Sequence, residues 1–578
     1  MLLVFGGTTE GRRAVDVLEE AGKTFYYSTK TGEQEMTLHN GVRIDGAMDG
    51  EAMCRFCQEH EIRLIVDAAH PFASTLHETI ATVGRSLNLP VIRYERTYPP
   101  REPDITWIDD YSQIPTDIHT LLATSGVQSI GKLQWLEKKG VKVIYRILNR
   151  ESSIELAHRQ GAQDEQLCFY EDGTRIDVPA DAILLKESGI SGGFTEKVTA
   201  ARSMSMRIIA LKRPPLPSYF LLHPSSVVNG PHGFRRMVEN VLPDFFPLKT
   251  GLTTGAYATA AVRAAVQSLL SEQESANSDN SYDSDVTFAL PDGELITVPV
   301  HIERPGVASA TKGFSDDPDV TRGCVITAEV RLTDTADIRF LQGTGVGTVT
   351  LPGLGLPVGE PAINPTPRRM IEATIRELTH RGCDVTISVK GGEELAQHTF
   401  NERVGVVGGI SIIGTSGIVR PMSNEAVVES IRRELDVVAA TGFAAAGLAM
   451  GKRGEDELIR REPGLRVVLC GNFIGEALTA AYERGFRRCV IGIGIGKAVK
   501  LAEGHLDTHS HKVTMNKAFV TTVAEEVVAD VNLERLTMAR ELWAIMPEAF
   551  FEKIKTLCIQ HCRRVFPTGE LEVVLVKN

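Results

Sequence analysis

The first residues of the chain join an apolar run to a glycine-rich turn, and this combination constrains the fold more than any other part of the sequence. Leu2–Phe5 has the length and composition of a buried strand. Gly6, Gly7 and Gly11 follow it, and apolar residues then recur at helical spacing until Gly22. A strand, a tight turn and a helix in this order predict a parallel α/β sheet whose turn offers backbone N–H groups to a phosphate.

The same alternation of apolar runs and helical patterns continues through two stretches, about 1–115 and 116–217. We therefore predict a two-lobed, Rossmann-like parallel-sheet unit over residues 1–217 with a cleft between its lobes. Prolines interrupt residues 218–246, which we assign to a linker, and a second α/β unit of mixed α+β type occupies residues 247–578. The predicted strands of the first unit include Thr24–Ser28, Leu64–Asp67, Val91–Tyr94, Val141–Ile147, Ala182–Lys186 and Arg207–Leu211.

Composition excludes several classes of function. The formal net charge of -12 argues against nucleic acid as a partner, because phosphate binding needs a basic surface. Nine cysteines at irregular spacings predict reduced thiols in a cytoplasmic protein. The most apolar stretch, Val404–Val419, is interrupted by glycines and is shorter than the roughly 20 residues of a membrane helix, so no membrane partner is expected.

The end of the second strand bears on the choice of nucleotide. NAD-binding proteins usually carry an acidic ribose ligand there, whereas this chain has Ser28, Thr29 and Lys30. Hydroxyls and a cation suit a 2′-phosphate and favour NADPH over NADH, although a solvated lysine at a strand end is an equal alternative. The residues predicted to hold the nucleotide are Gly6, Gly7, Thr8, Thr9, Gly11, Ser28 and Lys30.

Four segments of the first unit together resemble the precorrin-6A reductase family over about residues 1–217. This resemblance implies reduction of one double bond of a corrin precursor by hydride transfer from a nicotinamide. The segment Thr124–Gln128 departs from the family pattern, in which a more glycine- and aspartate-rich turn is expected. The segments that carry the resemblance are Val4–Gly11, Asp67–Ala73, Arg93–Arg96, and Lys186–Gly189 with Gly192 and Gly193.

By this resemblance the loop Asp67–Ala73 faces the macrocycle. His70 is the candidate catalytic residue as a proton donor; alternatively it bonds a propionate or caps the loop. Because the cofactor carries the chemistry, we expect no indispensable acid–base side chain. The substrate is a polycarboxylate, so cations are expected around it. The predicted substrate contacts are Asp67, His70, Arg93, Arg96 and Lys186, with Lys197 as a further candidate.

Several motifs of the second unit suit ligand binding. Thr253 and Thr254 precede an Ala-rich helical run and form either an anion site or a simple cap. Asp316–Thr321 holds three carboxylates in four positions, for which a solvated turn is the commoner explanation. The histidines of Ala502–His511 suggest a metal site, but we favour a polar loop that binds substrate carboxylates or its own backbone and predict no metal.

Glycine-rich turns dominate the rest of this unit. Five glycines within Gly405–Ser423 let backbone approach backbone or a flat ligand closely. Cys470–Glu476 and Ile491–Lys497 each follow a strand, as turns that bind nucleosides do. The cofactor contacts predicted from these segments are Gly408, Gly409, Ser411, Gly471, Asn472, Gly475, Gly494 and Gly496.

Taken together, these motifs resemble the cobalt-precorrin-5B C1-methyltransferase family along residues 247–578. The resemblance implies methyl transfer from S-adenosylmethionine to C1 of a cobalt-bearing ring, a reaction that needs alignment and exclusion of water more than a base. Tyr257 and Ile493–Ile495 depart from the family, in which a small or cysteine residue and a nearby histidine are expected. The predicted substrate contacts are Thr253, Thr254, Lys497, Thr508, His509 and Ser510, with Lys500 and Lys512 as further cations.

The two resemblances describe consecutive steps, since the methyltransferase family makes cobalt-precorrin-6A and the reductase family consumes it. We therefore predict a bifunctional enzyme of anaerobic cobalamin biosynthesis whose partners are cobalt-corrin intermediates. One alternative is a nucleotide-dependent epimerase or dehydratase fused to an unrelated domain. Another is a tetrapyrrole-binding protein without catalysis.

Overall fold

Two six-stranded parallel sheets form the first unit of the computed structural model, Met1–Pro247. A second unit comprises Leu248–Asn578. The structure describes residues 1–30, 36–170, 176–223, 226–272, 281–509, 512–528, 533 and 536–577.

The first unit alternates strands and helices along the chain. Its strands are β1 (Leu2–Phe5), β2 (Phe25–Thr29), β3 (Gly41–Asp45), β4 (Leu64–Asp67), β5 (Val91–Tyr94), β6 (Thr106–Ile108), β7 (Thr120–Ala123), β8 (Lys142–Leu148), β9 (Leu167–Tyr170), β10 (Ala182–Lys186), β11 (Arg207–Leu211) and β12 (Val227–Val228). Its helices are α1 (Thr9–Glu19), α2 (Gly50–Glu59), α3 (Ser74–Ser86), α4 (Ile130–Glu137), α5 (Glu151–Arg159), α6 (Phe194–Ser203), α7 (Ser218–Leu222) and α8 (Pro231–Val241).

Each sheet of the first unit contains a point where the order of its strands reverses. The first sheet has the order β3-β2-β1-β4-β5-β12 and the second has the order β9-β8-β7-β10-β11-β6. The chain moves outward from β1 to β3 and then crosses to the other side of β1 for β4; β7 and β10 are related in the same way. Ligands of open parallel sheets bind beside the carboxyl ends of strands at such a reversal. The predicted Rossmann-like, two-lobed class is confirmed.

The predicted linker is wrong, because its residues complete the first sheet. β12 pairs with β5 in parallel, and α8 buries Phe234 and Val238 against the same sheet. Pro231 occupies the first turn of α8, where a missing N–H costs nothing, and Pro243 follows the end of that helix. The lobe boundary also differs from the predicted residue 115, since β6 already belongs to the second sheet.

The second unit begins with a long helix and a mixed sheet and ends with a parallel sheet. Its strands are β13 (Gly251–Leu252), β14 (Tyr282–Ala289), β15 (Leu295–Arg304), β16 (Val307–Thr311), β17 (Val325–Thr333), β18 (Ile338–Gln342), β19 (Thr348–Val349), β20 (Gly382–Val389), β21 (Val406–Val407), β22 (Ile418–Val419), β23 (Ala445–Ala449), β24 (Val467–Leu469), β25 (Arg488–Gly494) and β26 (Glu570–Val576). Its helices are α9 (Thr254–Glu272), α10 (Pro365–Leu378), α11 (Gly392–Ala396), α12 (Asn424–Ala440), α13 (Lys452–Arg461), α14 (Ile474–Glu483), α15 (Ile495–Glu503), α16 (Lys517–Glu525), α17 (Leu542–Ile545) and α18 (Glu548–Cys562).

The mixed sheet has the strand order β14-β15-β16-β17-β20-β18 and buries one of its two faces. Along β15 every second residue from Ile296 to Ile302 is buried, so one face of the sheet packs on the core and the other faces solvent. The Ala-rich helix α9 packs in the same core as these residues. Its small side chains let the helix approach the sheet closely.

The parallel sheet of the second unit has the order β24-β23-β25-β26. Its strand order reverses between β23 and β25, since β24 and β25 lie on opposite sides of β23. Apolar side chains of α12, α14, α15 and α18 cover one face of the sheet in a single core. The carboxyl ends of β23, β24 and β25 therefore meet at one edge, where a ligand is expected.

Candidate active sites

Tyr27 of β2 supports the glycine-rich turn that follows β1. The hydroxyl of Tyr27 accepts a hydrogen bond from the Gly7 backbone N–H at 2.9 Å. A Cβ atom at Gly6 would lie 2.3 Å from the Tyr27 ring, whereas one at Gly7 would meet nothing within 4 Å. Gly7 has a φ of +85°, which a side chain would strain. Glycine at position 6 thus serves packing, and glycine at position 7 leaves open space on the outer side of the turn.

Thr8 connects this turn to the loop after β4. Its Oγ1 accepts a hydrogen bond from Gly11 N at 3.0 Å, which caps α1, and donates to the Ala68 carbonyl at 2.7 Å. The Thr8 hydroxyl therefore links the loops after β1 and β4, the two strands between which the strand order of the first sheet reverses. A capped helix start beside open space meets the requirements of a phosphate site.

The strands next to this turn carry the residues predicted to select the nucleotide. Ser28 is buried and Lys30 is exposed. Thr29 Oγ1 donates to Asp45 Oδ1 at 2.8 Å, and Arg43 pairs with the same carboxylate. Asp45 at the end of β3 is thus the acidic residue near these strand ends, and its charge is paired with Arg43. Lys30 is the cation that follows β2.

Asp67 and Arg93, two predicted substrate contacts, form a fully buried ion pair at 2.8 Å with 0% exposure of either side chain. His77 places one ring nitrogen 2.7 Å from the other Asp67 oxygen and its second ring nitrogen 3.0 Å from the His70 carbonyl. The His77 ring thus bridges the Asp67 carboxylate and the backbone of the loop that follows β4. Burial opposes ionisation of Asp67, but the Arg93 charge and the His77 hydrogen bond together lower its pKa. The prediction that Asp67 and Arg93 touch substrate is therefore wrong: they anchor the loop.

His70 lies half-buried in the loop that this ion pair anchors. Its Nδ1 accepts a hydrogen bond from the Phe72 backbone N–H at 3.2 Å. Burial, together with the charges of Arg96 and Lys186, lowers the pKa of His70 to about 3. The ring is neutral at physiological pH, and its Nε2–H is the remaining donor. His70 can hydrogen-bond a ligand carboxylate, but the predicted role as an imidazolium acid does not fit this environment.

Arg96 joins the two lobes of the first unit. Its side chain is buried, bonds Glu10 in the glycine-rich turn at 2.8 Å and donates to the Ser188 carbonyl of the second lobe at 2.7 Å. Ser191 donates to the same Glu10 carboxylate. The strand-order reversals of the two sheets consequently face each other across a shared set of polar contacts.

Three lysines of the second lobe lie near this junction without a counter-ion. Within the described parts of the chain, no carboxylate oxygen lies within 4 Å of the Nζ atoms of Lys132, Lys186 or Lys197. Lys186 sits 5.1 Å from the centre of the Phe72 ring of the first lobe. Burial lowers the pKa of Lys197 and, together with the charge of Lys132, lowers the pKa of Lys186 to about 8. Partly desolvated, unmatched cations are the arrangement that an anionic ligand would neutralise.

In the second unit, three glycines leave open space at the edge of the parallel sheet. Gly451, Gly471 and Gly494 follow or end β23, β24 and β25, and a Cβ atom at any of them would meet nothing within 4 Å. Gly475 differs, since its Cβ would lie 2.8 Å from Leu506. It serves packing, which corrects its predicted cofactor contact. The space beside the first three glycines can accept a ligand such as an adenosyl group.

A single lysine ties these three strand ends together. Lys497 Nζ donates to the Met450 carbonyl at 2.7 Å and to the Gly471 carbonyl at 3.0 Å. Burial lowers its pKa. Two of its three N–H bonds are thus used by the protein, so Lys497 supports the loops, and its predicted substrate contact stays a prediction that rests on the third N–H bond. A Cβ atom at Gly496 would lie 3.6 Å from the Ala539 Cβ, an ordinary contact distance.

The histidine-containing loop packs against the same edge. Thr508 is 1% exposed, and its N–H bonds the Asn472 carbonyl at 3.1 Å, so the predicted substrate contact of Thr508 is replaced by a contact within the protein. Lys500 Nζ bonds the Thr508 carbonyl. His509 is half-buried, with its backbone N–H bonded to Asp507. Ser510, a predicted substrate contact, lies outside the described residues.

Thr253 and Thr254 fasten the glycine segment to α9 and do not form an open anion site. The Thr254 hydroxyl accepts a hydrogen bond from Ile413 N at 2.9 Å, and both threonines are buried. A Cβ atom at Gly414 would lie 2.2 Å from Thr253 Oγ1. The cap is therefore the correct alternative, and the substrate contact predicted for both residues is wrong.

The remaining predicted cofactor residues of the glycine segment divide into two kinds. Gly409 packs on the Gly345 backbone, where a Cβ would lie 2.5 Å away, whereas a Cβ at Gly408 would meet nothing within 4 Å. Asn401 donates to the Gly409 carbonyl and accepts from Ser411. Only Gly408 of these three thus borders open space.

Arg403 connects the turn that holds this glycine segment to the parallel sheet. Its guanidinium lies 2.8 Å from Glu455 and 3.4 Å from Glu434, and it donates to the Val467 carbonyl of β24. Burial raises the pKa of Glu434 to about 7, with the Arg403 charge opposing and the Glu455 charge adding to the rise. This cluster was not predicted, because residues far apart in sequence form it.

Glu434→Gln should raise the free energy of unfolding at pH 8 by about 2 kcal/mol and change it little at pH 5. The pKa of Glu434 is about 7 in the fold and close to 4.5 in the unfolded chain, so its stabilising contribution is present at low pH and lost as pH rises through 7. Urea unfolding followed through Trp543, with Trp107 and Trp135 replaced by phenylalanine, measures this unit. Glu429→Gln, in an exposed pair on α12, is the control. Equal effects of Glu434→Gln at both pH values would contradict the shift.

The acidic motif Asp316–Thr321 is ordered by specific bonds and is not simply a solvated turn. Lys312 is buried and pairs with Asp319, which also accepts hydrogen bonds from Thr321. Asp316 accepts from Lys249 N, and Asp317 accepts from Met422 N. The carboxylates thus hold neighbouring segments together.

No described helix is both long and apolar enough to span a membrane.

Comparison with known proteins finds a different family along each part of the chain. The family model described as "Precorrin-6x reductase CbiJ/CobK" matches residues 1–230, and the model "CbiD" matches residues 243–421. A cobalt-precorrin-5B C(1)-methyltransferase of Prosthecochloris aestuarii is 41% identical over 353 residues, which cover 57% of this chain and 94% of that relative. The relative of the same name from Pseudomonas putida strain GB-1 is 40% identical over 299 residues, covering 50% and 80%.

Two solved structures are also similar. The cobalamin biosynthesis protein cbiD of Archaeoglobus fulgidus has 28% identity and a TM-score of 0.25, covering 46% of this chain and 83% of its own. CobK precorrin-6A reductase has 17% identity and a TM-score of 0.34, covering 42% and 96%. The sequence matches carry the assignment: the chain belongs to the cobalt-precorrin-5B C(1)-methyltransferase family and bears a precorrin-6x reductase domain at its N-terminus, as a bifunctional enzyme of cobalamin biosynthesis.

Proposed function

We propose that the second unit uses S-adenosylmethionine to methylate C1 of cobalt-precorrin-5B and that the first unit uses NADPH to reduce a double bond of the resulting cobalt-precorrin-6A. Each activity is assigned to one unit. The reductase unit extends to Pro247, because β12 and α8 complete its first sheet. All nine cysteines are free thiols, which is consistent with a cytoplasmic enzyme.

The observation that carries the reductase half is the set of unmatched lysines beside the glycine-rich turn. A corrin precursor bears several carboxylates, and Lys186 and Lys197 are half-buried cations whose pKa values are lowered in the absence of a partner. A bound carboxylate would restore their charge balance. The neutral His70 adds a hydrogen-bond donor at the same edge.

S-adenosylmethionine is proposed to lie at the parallel sheet of the second unit. Gly451, Gly471 and Gly494 leave room at three adjacent strand ends, and Lys497 fixes the loops that bear them. When bound, the cofactor supplies an electrophilic methyl group, so the task of the protein is to align the substrate carbon with it and to exclude water.

A single assay tests both halves. The full chain is mixed with cobalt-precorrin-5B, S-adenosylmethionine and NADPH, and the products are analysed by mass spectrometry. We expect a gain of one methyl group followed by a gain of two hydrogens, with the methylated product accumulating when NADPH is omitted. A macrocycle that binds but keeps its mass would support the tetrapyrrole-binding alternative, and oxidation of NADPH with an unrelated substrate would support the fused dehydratase.

Lys30→Glu should reduce kcat/KM for NADPH by about 10- to 100-fold while leaving kcat/KM for NADH nearly unchanged, because the variant removes a charge-assisted bond to the 2′-phosphate and adds repulsion. Initial rates with each nucleotide measure the effect. Lys142→Glu makes the same charge change at an exposed residue that begins β8 and should alter neither rate. Equal losses with both nucleotides would show that Lys30 does not recognise the 2′-phosphate.

A further inference from the structure

Lys186 lies where the strand order of the second sheet reverses. Its side chain points toward the strand-order reversal of the first sheet. It is the last residue of β10, which lies beside β7. Its Nζ lies 5.1 Å from the centre of the Phe72 ring, and its charge acts on His70 in the same loop. Arg96 bonds the Ser188 carbonyl two residues later, so the position of Lys186 relative to the first lobe is fixed.

Among the described residues, no carboxylate pairs with Lys186. Lys132 of α4 contributes a like charge, and His70 is neutral. The adjacent carboxylate of Glu187 is turned away and used by Arg101 and Arg213. Burial is the largest cause of the lowered pKa of Lys186, about 8, and Lys132 adds to it. A lysine of this kind is mostly protonated at neutral pH yet releases its proton readily.

We propose that Lys186 is the proton donor of the reduction. The inference rests on the proposed reductase function and assigns the acid that this function lacks. The double bond gains a hydride at one atom from the reduced nicotinamide, its π electron pair takes a proton at the other atom, and the Nζ–H bond of Lys186 breaks. The neutral amine then regains a proton from water. The substrate is reduced by two electrons, and the nicotinamide is oxidised by two.

Two other groups at this edge, His70 and Arg96, do not suit the role. His70 lacks a dissociable imidazolium proton near neutral pH, since its pKa is about 3. Arg96 is committed to Glu10 and to the Ser188 carbonyl, and a guanidinium does not give up its proton in proteins. Lys186 therefore replaces the expectation that the reduction needs no acid–base side chain.

The test measures NADPH oxidation by the full chain with cobalt-precorrin-6A as a function of pH. We expect kcat of the wild type to fall above about pH 8. Lys186→Met, which keeps an apolar stem, should lower kcat by about 100-fold or more and abolish that limb of the pH profile. Lys186→Arg should restore KM toward the wild type but not kcat, because it returns the charge without a transferable proton. Lys132→Met should move the limb to higher pH.

Lys138→Met, at the exposed end of α4, is the matched control and should behave as the wild type. NADPH affinity, measured by fluorescence titration, verifies that each variant folds. A Lys186→Met enzyme that keeps its kcat and shows only a raised KM would overturn the proposal, as would recovery of kcat in Lys186→Arg. A wild-type chain that never oxidises NADPH with this substrate would instead refute the reductase function itself.

Discussion

Replacing Asp67 with asparagine should lower the free energy of unfolding of the first unit by about 3–5 kcal/mol. Asp67 is completely buried between Arg93 and His77, and its loss deprives the buried Arg93 of one of its two carboxylate partners, leaving Glu95. Urea unfolding followed through Trp107 and Trp135, with Trp543 replaced by phenylalanine, reports on this unit. Because the cost arises from a buried charge that loses a buried carboxylate partner, it should exceed the loss of one neutral hydrogen bond.

The control for this variant is Asp109→Asn. Asp109 pairs with Lys212 at 3.0 Å, but its side chain is 68% exposed, so the change should cost less than about 1 kcal/mol. The pH profile adds a second check. Because the pKa of Asp67 is lowered in the fold, its contribution is present above the unfolded value and lost as the pH falls through the folded value. Similar losses in both variants would contradict the burial argument.

Gly492→Ala should destabilise the second unit by about 1–3 kcal/mol and raise KM for S-adenosylmethionine. A Cβ atom at Gly492 would lie 2.8 Å from the Gly454 carbonyl, and one at Gly454 would lie 2.6 Å from the Gly492 carbonyl. Helix α13 thus rests directly on the backbone of β25, and a methyl group would push the helix and the Gly451 turn away from the sheet. Unfolding followed through Trp543 and methylation kinetics measure the two effects.

Gly464→Ala serves as the matched control for this substitution, since a Cβ there meets nothing within 4 Å. The free energy of unfolding should change by less than about 0.5 kcal/mol. If Gly492→Ala were as well tolerated as Gly464→Ala, the close packing of helix on strand would not limit this part of the fold.

Sequence patterns located the strands that are continuous apolar runs. β4 and β10 coincide with the predicted bounds, because each is fully apolar until the polar residue that ends it. β12 was missed, since a two-residue strand has no periodicity and is defined by its pairing with β5. The same limit applies to α8, whose apolar face is recognisable only once the sheet beside it is known.

Side-chain roles were harder to predict than strands. Arg93 and Lys186 are both cations near the end of a strand, yet one is buried in an ion pair and the other has no described counter-ion. Charge and position along a strand do not reveal which way a side chain turns. Lys132 and Arg403 were missed because tertiary contacts bring them to their sites.

The shared contacts of Arg96 also affect how molecules leave the cleft. Three hydrogen bonds cross between the segments of the first unit there: Arg96 to the Ser188 carbonyl, Ser191 to Glu10, and Ile190 N to the Thr97 carbonyl. Each contributes about 0.5–1.5 kcal/mol net, so on these three bonds alone an opened cleft is a minor population, on the order of 0.1 to 10 per cent. If product leaves through such openings, the frequency of lobe separation limits the turnover rate of the reductase alongside bond making.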